Sequence, residues 1–248
     1  MRKTSRYVVA IAVMALALFV AEAAHATAVA PSTVTAIDIG LQPDATMIRH
    51  AKAANARLLK SFPKGFTLDA SHLPHLTMQQ RYVYTSHLSE VYTAADRVFG
   101  ADNADTMQLT AVKYAGEAWG QTGLYATVIE VKPTPNLLKL QRDLMAAVAP
   151  YTAPSGTSAA FYTTPADPNI NQPTLDYVAT YVPKASGTNF FPHVTVGATT
   201  ATYFQKMVAE PFNSFAFQAS AASVYQLGND GTARKELKRW SFAIEGLP

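Results

Sequence analysis

One five-residue pattern occurs twice in this chain, as Pro74-His75-Leu76-Thr77-Met78 and as Pro192-His193-Val194-Thr195-Val196. No other feature limits the possible folds so sharply. In an extended strand alternate side chains share a face. His75 with Thr77, and His193 with Thr195, should therefore point one way, while Leu76, Met78, Val194 and Val196 enter a core. Two strands of one kind are expected, each presenting an imidazole beside a hydroxyl on a half-buried support. H-x-T alone is a short pattern that arises by chance. The proline before both histidines and the apolar residues around both threonines make it specific.

The first residues read as a targeting segment. Arg2, Lys3 and Arg6 form a basic start, residues 7–20 are an unbroken apolar run, and Ala24-His25-Ala26 places small residues where a signal peptidase reads. Residues 1–26 are expected to be a signal peptide, with a mature start near Thr27 and export to the periplasm or beyond. The run is shorter than the roughly 20 residues a membrane span needs, so no membrane association is expected after cleavage; an uncleaved anchor is the alternative. The chain has no cysteine, which excludes disulfides, thiolate metal sites and a lipidated cysteine. Removing residues 1–26 lowers the formal charge from +3 to +1. A broad footprint for long nucleic acid is thus not expected, whereas local binding of a small phosphate ester stays open. Residues 27–248 are expected to form one two-lobed domain, acting as a monomer.

Apolar alternation over residues 35–41 predicts a strand. Pro43-Asp44 opens a helix with Met47, Ile48, Ala51, Ala54, Leu58, Leu59 and Phe62 at helical spacing, stopped by Pro63 and Gly65. The first H-x-T strand lies within residues 66–84. Thr85 or Ser86 should cap the next helix, whose stripe is Leu88, Val91, Ala95, Val98 and Phe99, closed by Gly100. Strands follow at 106–114 and 124–131, then a helix with Thr134 as cap and Pro135 in its first turn. Residues 151–173 read as a long surface segment. Leu175, Val178 and Val182 suggest a short helix before the second H-x-T strand. A helix near 203–208 leads to runs at 215–227 and 233–244, joined by the hairpin signal Asn229-Asp230-Gly231. Strand, helix, H-x-T strand, helix occurs before residue 100 and recurs from Leu124 to Val208, which suggests two similar lobes.

With these residues in view, the chain resembles the two-histidine phosphoesterase superfamily, in particular its bacterial 2'-5' RNA ligase-like proteins and cyclic phosphodiesterases. The resemblance rests on Pro74-His75-Leu76-Thr77, on Phe191-Pro192-His193-Val194-Thr195-Val196-Gly197, and on the closing runs Val224-Tyr225-Gln226-Leu227-Gly228 and Gly231-Thr232-Ala233-Arg234. It implies an α+β fold of two lobes, with pseudo-twofold duplicated antiparallel sheets, outer helices and a central cleft. It also implies that His75 and His193 are the proton-transfer pair and that Thr77 and Thr195 hold phosphate oxygens. Members usually act without metal on cyclic phosphates or on 2'-5' or 3'-5' phosphodiesters. The leader departs from cytoplasmic RNA-processing members, so ligation or transfer-RNA repair is not expected of an exported chain.

The chemistry agrees with the residue types. Opening a cyclic phosphodiester needs a base for water and an acid for the departing ribose oxygen, and an imidazole with an ordinary pKa of about 6.5 serves as either. Hydroxyls two residues on can donate to oxygens that gain charge. The sequence does not say which histidine is the base. No carboxylate lies within either motif, so neither a metal nor another cofactor is expected. Gln79 and Arg81 continue the strand face of His75 and Thr77 and are candidates to line the cleft. Phe190, with Phe191, is a candidate to stack on a base. His50 and His87 read as helix-surface groups and His72 as a loop residue. The expected substrate is a small phosphodiester or a short RNA end. The alternative is an exported nucleotide or phosphate-ester binding protein without turnover.

Overall fold

Apolar residues alternating with polar or small ones build β1 (Val34–Pro43), buried without a break from Thr35 to Leu41, in a computed structural model that describes residues 33–120 and 122–243. The leader and the expected mature start lie outside the described residues. Asp44 ends the strand and starts α1 (Ala45–Ser61), because its carboxylate accepts from the backbone N–H groups of Thr46 and Met47 at 2.8 and 3.1 Å. β2 (Leu76–Tyr84) carries the first motif. α2 (Leu88–Ala101) begins after a 3-10 turn over Thr85–His87, and neither Thr85 nor Ser86 caps it. The Thr85 hydroxyl is instead bonded to that of Thr35 at 2.8 Å.

β3 (Gln108–Ala118) and β4 (Leu124–Val131) form a hairpin. α3 (Pro135–Val148) starts as its residues dictate, with Thr134 accepting from the Leu137 N–H. The following segment is less superficial than its composition suggests. It contributes the two-residue β5 (Thr152–Ala153), paired with β2, and buries Ala160 and Phe161 against Ala36, Tyr82, Val178 and Leu227. α4 (Gln172–Ala185) is a full helix, capped by Asn171 and continuing through Pro183. β6 (His193–Thr200) carries the second motif, followed by α5 (Ala201–Val208), β7 (Phe215–Leu227) and β8 (Ala233–Ser241). The last two strands meet at the expected hairpin, where Asp230 and Gly231 take φ of 55° and 70°.

All strand pairs are antiparallel, in the order β1-β2-β6-β4-β3-β7-β8, and β7 also pairs with β1. The long β7 spans both halves of the sheet: residues 215–218 pair with β3, and residues 219–226 pair with β1. On the other side β2 and β6 touch through one residue pair, Leu76 and Val194. The halves are not consecutive lobes of sequence. α1, which follows β1, packs on β6, while α3, which follows β4, packs on β2. Each H-x-T strand is thus backed by a helix from the other half, and one apolar core including Leu58, Leu76, Met78, Leu144, Val194 and Val196 runs between them.

Candidate active site

The two motifs lie on strands with the same irregularity at the same place. In β2, Thr77 pairs with Gly40 but Gln79 pairs with Ile39, so Met78 is an extra residue. In β6, Thr195 pairs with Val128 but Gly197 pairs with Thr127, so Val196 is extra. Each strand therefore carries a β-bulge immediately after its threonine. A bulged residue loses its ladder partner, and a buried carbonyl must then find another donor. Here a side-chain amide from the exchanged helix serves: Gln141 of α3 donates to the Met78 carbonyl at 3.2 Å, and Asn55 of α1 to that of Val196 at 2.9 Å. Gly197 completes the second bulge with φ of 150°, and a Cβ there would lie 2.8 Å from Leu58 Cδ1 and 3.1 Å from Asn55 Nδ2.

Leu76 and Val194 are fully buried, so their neighbours His75, Thr77, His193 and Thr195 share the opposite, half-buried face. An antiparallel pairing through Leu76 and Val194 sets His75 toward Thr195 and His193 toward Thr77, around a local twofold axis. In regular geometry the backbones of such diagonal neighbours are about 7–8 Å apart. The rings are fixed alike: His75 Nδ1 donates to the Leu73 carbonyl and His193 Nδ1 to the Phe191 carbonyl, both at 2.7 Å. Nε2 is then the free nitrogen of both rings, a lone pair when neutral and a donor when charged. Burial, reinforced by the nearby charge of His75, pushes the His193 imidazole below its ordinary 6.5, against the opposing pull of the Phe191 carbonyl, Glu130 and Asp38.

The halves differ in one group that the local sequence does not reveal. Asp38 of β1 is fully buried beneath the first motif. Its Oδ2 accepts from the Thr77 hydroxyl at 2.8 Å and from Gln80 Nε2 at 3.0 Å, and lies 3.9 Å from His75 Nε2. Oδ1 has no partner. Burial raises the pKa of this carboxyl, opposed by His75, by the Gln80 and Thr77 bonds and by His193. Gly40 makes room for the assembly, since a Cβ there would come 2.9 Å from Asp38 Oδ1 and 3.4 Å from His75 Cδ2. The matching place on the other half is Ala126, which pairs with Ala198 as Asp38 pairs with Gln80.

The bulge also corrects two of the sequence-derived candidates. One extra residue reverses the faces beyond it, so Gln80, not Gln79, continues the face of Thr77. Gln79 is buried on the opposite side, donating to the Leu144 carbonyl of α3 at 3.2 Å. Arg81 turns away with it, into a hollow lined by Thr152, Pro154, Val178 and Val182. Phe190 belongs to the core, whereas Phe191 is 44% exposed with its ring 5.1 Å from that of His193. The other histidines among the described residues are occupied elsewhere: His50 stacks on Phe215, His72 on Phe66, and His87 bonds Glu90. Among the described residues no three His, Asp or Glu side chains converge as a metal cluster would.

The chain course is similar to that of several solved structures. Escherichia coli LigT, solved with 3'-AMP, shares 17% identity at a TM-score of 0.43, covering 86% of this chain and all of that one. TT0787 of Thermus thermophilus shares 13% at 0.46, covering 85% and all of that chain. Usb1 of Kluyveromyces marxianus shares 10% at 0.39, covering 86% and 99%. No family model and no curated protein sequence matches the chain.

Proposed function

We propose that this protein is a metal-independent phosphodiesterase of the two-histidine type, acting after export on small phosphodiesters. Its preferred substrates are 2',3'-cyclic nucleotides or RNA ends bearing a cyclic phosphate. The observation that carries this reading is the pair of imidazoles, each locked through Nδ1 to a carbonyl two residues earlier, so that both Nε2 atoms are available on one face.

His193, which burial keeps neutral near neutrality, takes a proton from water through Nε2 as the water oxygen bonds to phosphorus. The bond from phosphorus to the 3'-oxygen breaks, and His75 Nε2 gives that oxygen its proton, leaving a 2'-phosphate. Solvent then returns a proton to His75 and removes one from His193. Thr77 and Thr195 flank the phosphate, where a hydroxyl donor offsets charge gained by a non-bridging oxygen. The basic and apolar leader supports export.

The test is a panel of 2',3'-cyclic nucleotides, 2'-5' dinucleotides and other cyclic phosphates incubated with purified protein and excess chelator. Turnover of a cyclic nucleotide is expected. Binding without turnover would replace this reading with that of a phosphate-ester binding protein, and turnover abolished by chelator would overturn the metal-independent step.

A further inference from the structure

The two threonines occupy equivalent places in their motifs, but their surroundings differ. A chain of hydrogen bonds with fixed directions ends on Thr77. The Gly231 carbonyl, in the hairpin between β7 and β8, can only accept, and Gln80 Nε2 donates to it at 3.1 Å. That fixes which end of the Gln80 amide carries the hydrogens. The same nitrogen donates to Asp38 Oδ2 at 3.0 Å, so Oδ2 acts as an acceptor. An ionised carboxylate has no hydrogen to give, so both contacts of Oδ2 are accepted ones. With Asp38 ionised, the Thr77 hydroxyl, 2.8 Å from Oδ2, is the donor of that contact.

Thr195 has no such anchor. The position across the local twofold axis is Ala126, whose side chain accepts nothing, and among the described residues no side chain or backbone group bonds the Thr195 hydroxyl. A hydroxyl has one hydrogen to donate. Thr77 spends it beneath the cleft floor and offers only lone pairs above, whereas Thr195 keeps it.

From this we infer that Asp38 is a positioning residue that divides the threonine roles, with Thr195 donating to the phosphate and Thr77 accepting from a water or a substrate hydroxyl. The inference rests on the phosphate-ester reading of the site. It also sets orientation: an anionic phosphate oxygen is drawn toward Thr195 and repelled by the lone pairs of Thr77, while a neutral O–H group of the substrate or the attacking water suits the Thr77 side.

Inorganic phosphate binding, measured by calorimetry on the full chain, tests the division without requiring turnover. Thr195→Val should weaken binding about tenfold or more, the scale of one hydrogen bond to a charged group. Thr77→Val should weaken it less than about threefold, having no such bond to lose. Asp38→Ala, which gives the first half the residue of the second, frees the Thr77 hydroxyl; in that background the two valine substitutions should cost the same within about twofold. Asp38→Asn also removes the charge but keeps an acceptor for Thr77, so the unequal costs should return, a rescue that a merely structural role of Asp38 would not produce. Equal costs at both threonines with Asp38 intact, or a split that survives Asp38→Ala, overturn the inference while leaving the phosphate site standing. No phosphate binding by the unaltered chain overturns both.

Discussion

In the site, the fold moves the protonation of His193 and Asp38 in opposite directions. His193 is held below its ordinary value of 6.5 by burial and must be neutral to act as base. The acid side of the pH–rate profile for cyclic nucleotide opening should therefore fall at a pH below 6.5; a fall centred above it would contradict the assignment. Asp38 is raised above its ordinary 3.8, again by burial. Thr77 and Gln80 of β2, with His75 just before that strand, lie against it, Tyr225 of β7 is its strand partner, and its charge is felt with those of His193 of β6 and Tyr177 and Tyr181 of α4. A raised folded value means that ionisation costs stability, a cost absent below 3.8 and growing as pH rises through the folded value. Asp38→Asn should thus melt higher than the unaltered protein near neutrality, and the gain should vanish toward pH 4 in thermal unfolding. The four motif side chains were legible from spacing alone. Asp38 was not, because on its own strand it is simply the polar member of an alternating run, and only the pairing with β2 carries it under His75.

At the scale of elements, the bulges position the motifs and the exchanged helices hold the bulges. Asn55 and Gln141 are buried amides on otherwise apolar helix faces, each meeting a carbonyl that the sheet leaves without a partner. Replacing either by leucine should cost about 1–3 kcal/mol in denaturant unfolding, the scale of stranding a buried polar group. The same changes should slow turnover, since the bulge sets the direction of the adjacent threonine. Unchanged stability in both variants would remove this role. Most elements were readable from local signals: the Asp44, Thr134 and Pro135 starts and the Asn229-Asp230-Gly231 hairpin all act as their chemistry suggests. The bulge was not, because one extra residue leaves the run from Leu76 to Tyr84 looking like an ordinary strand while turning Gln79 and Arg81 to the other face. Phe190 and Phe191 differ by one position in the same way: the first packs inside and the second is exposed beside His193.

For the whole molecule, duplication was visible in the repeated order of elements, but the interleaving of the halves was not. Which helix backs which strand depends on contacts between Asn55 and Val196, or Gln141 and Met78, far apart in the chain. Periodicity reports only which face of a helix is apolar. The proposed export belongs to this scale too. Mass spectrometry of protein recovered outside the cytoplasm should give an N-terminus close to Thr27, whereas a full-length chain confined to the cytosol would contradict it. In the proposed mechanism two histidines, one from each half, act as a single proton-transfer unit. Its most direct test is the rate of 2',3'-cyclic nucleotide opening by His75→Ala, His193→Ala and the double variant, with chelator present. Each single change should cost about a hundredfold or more, as for the loss of an acid or base. The double change should cost little beyond either one, because half of a relay is of little use alone. A double variant as active as the unaltered protein would contradict the account.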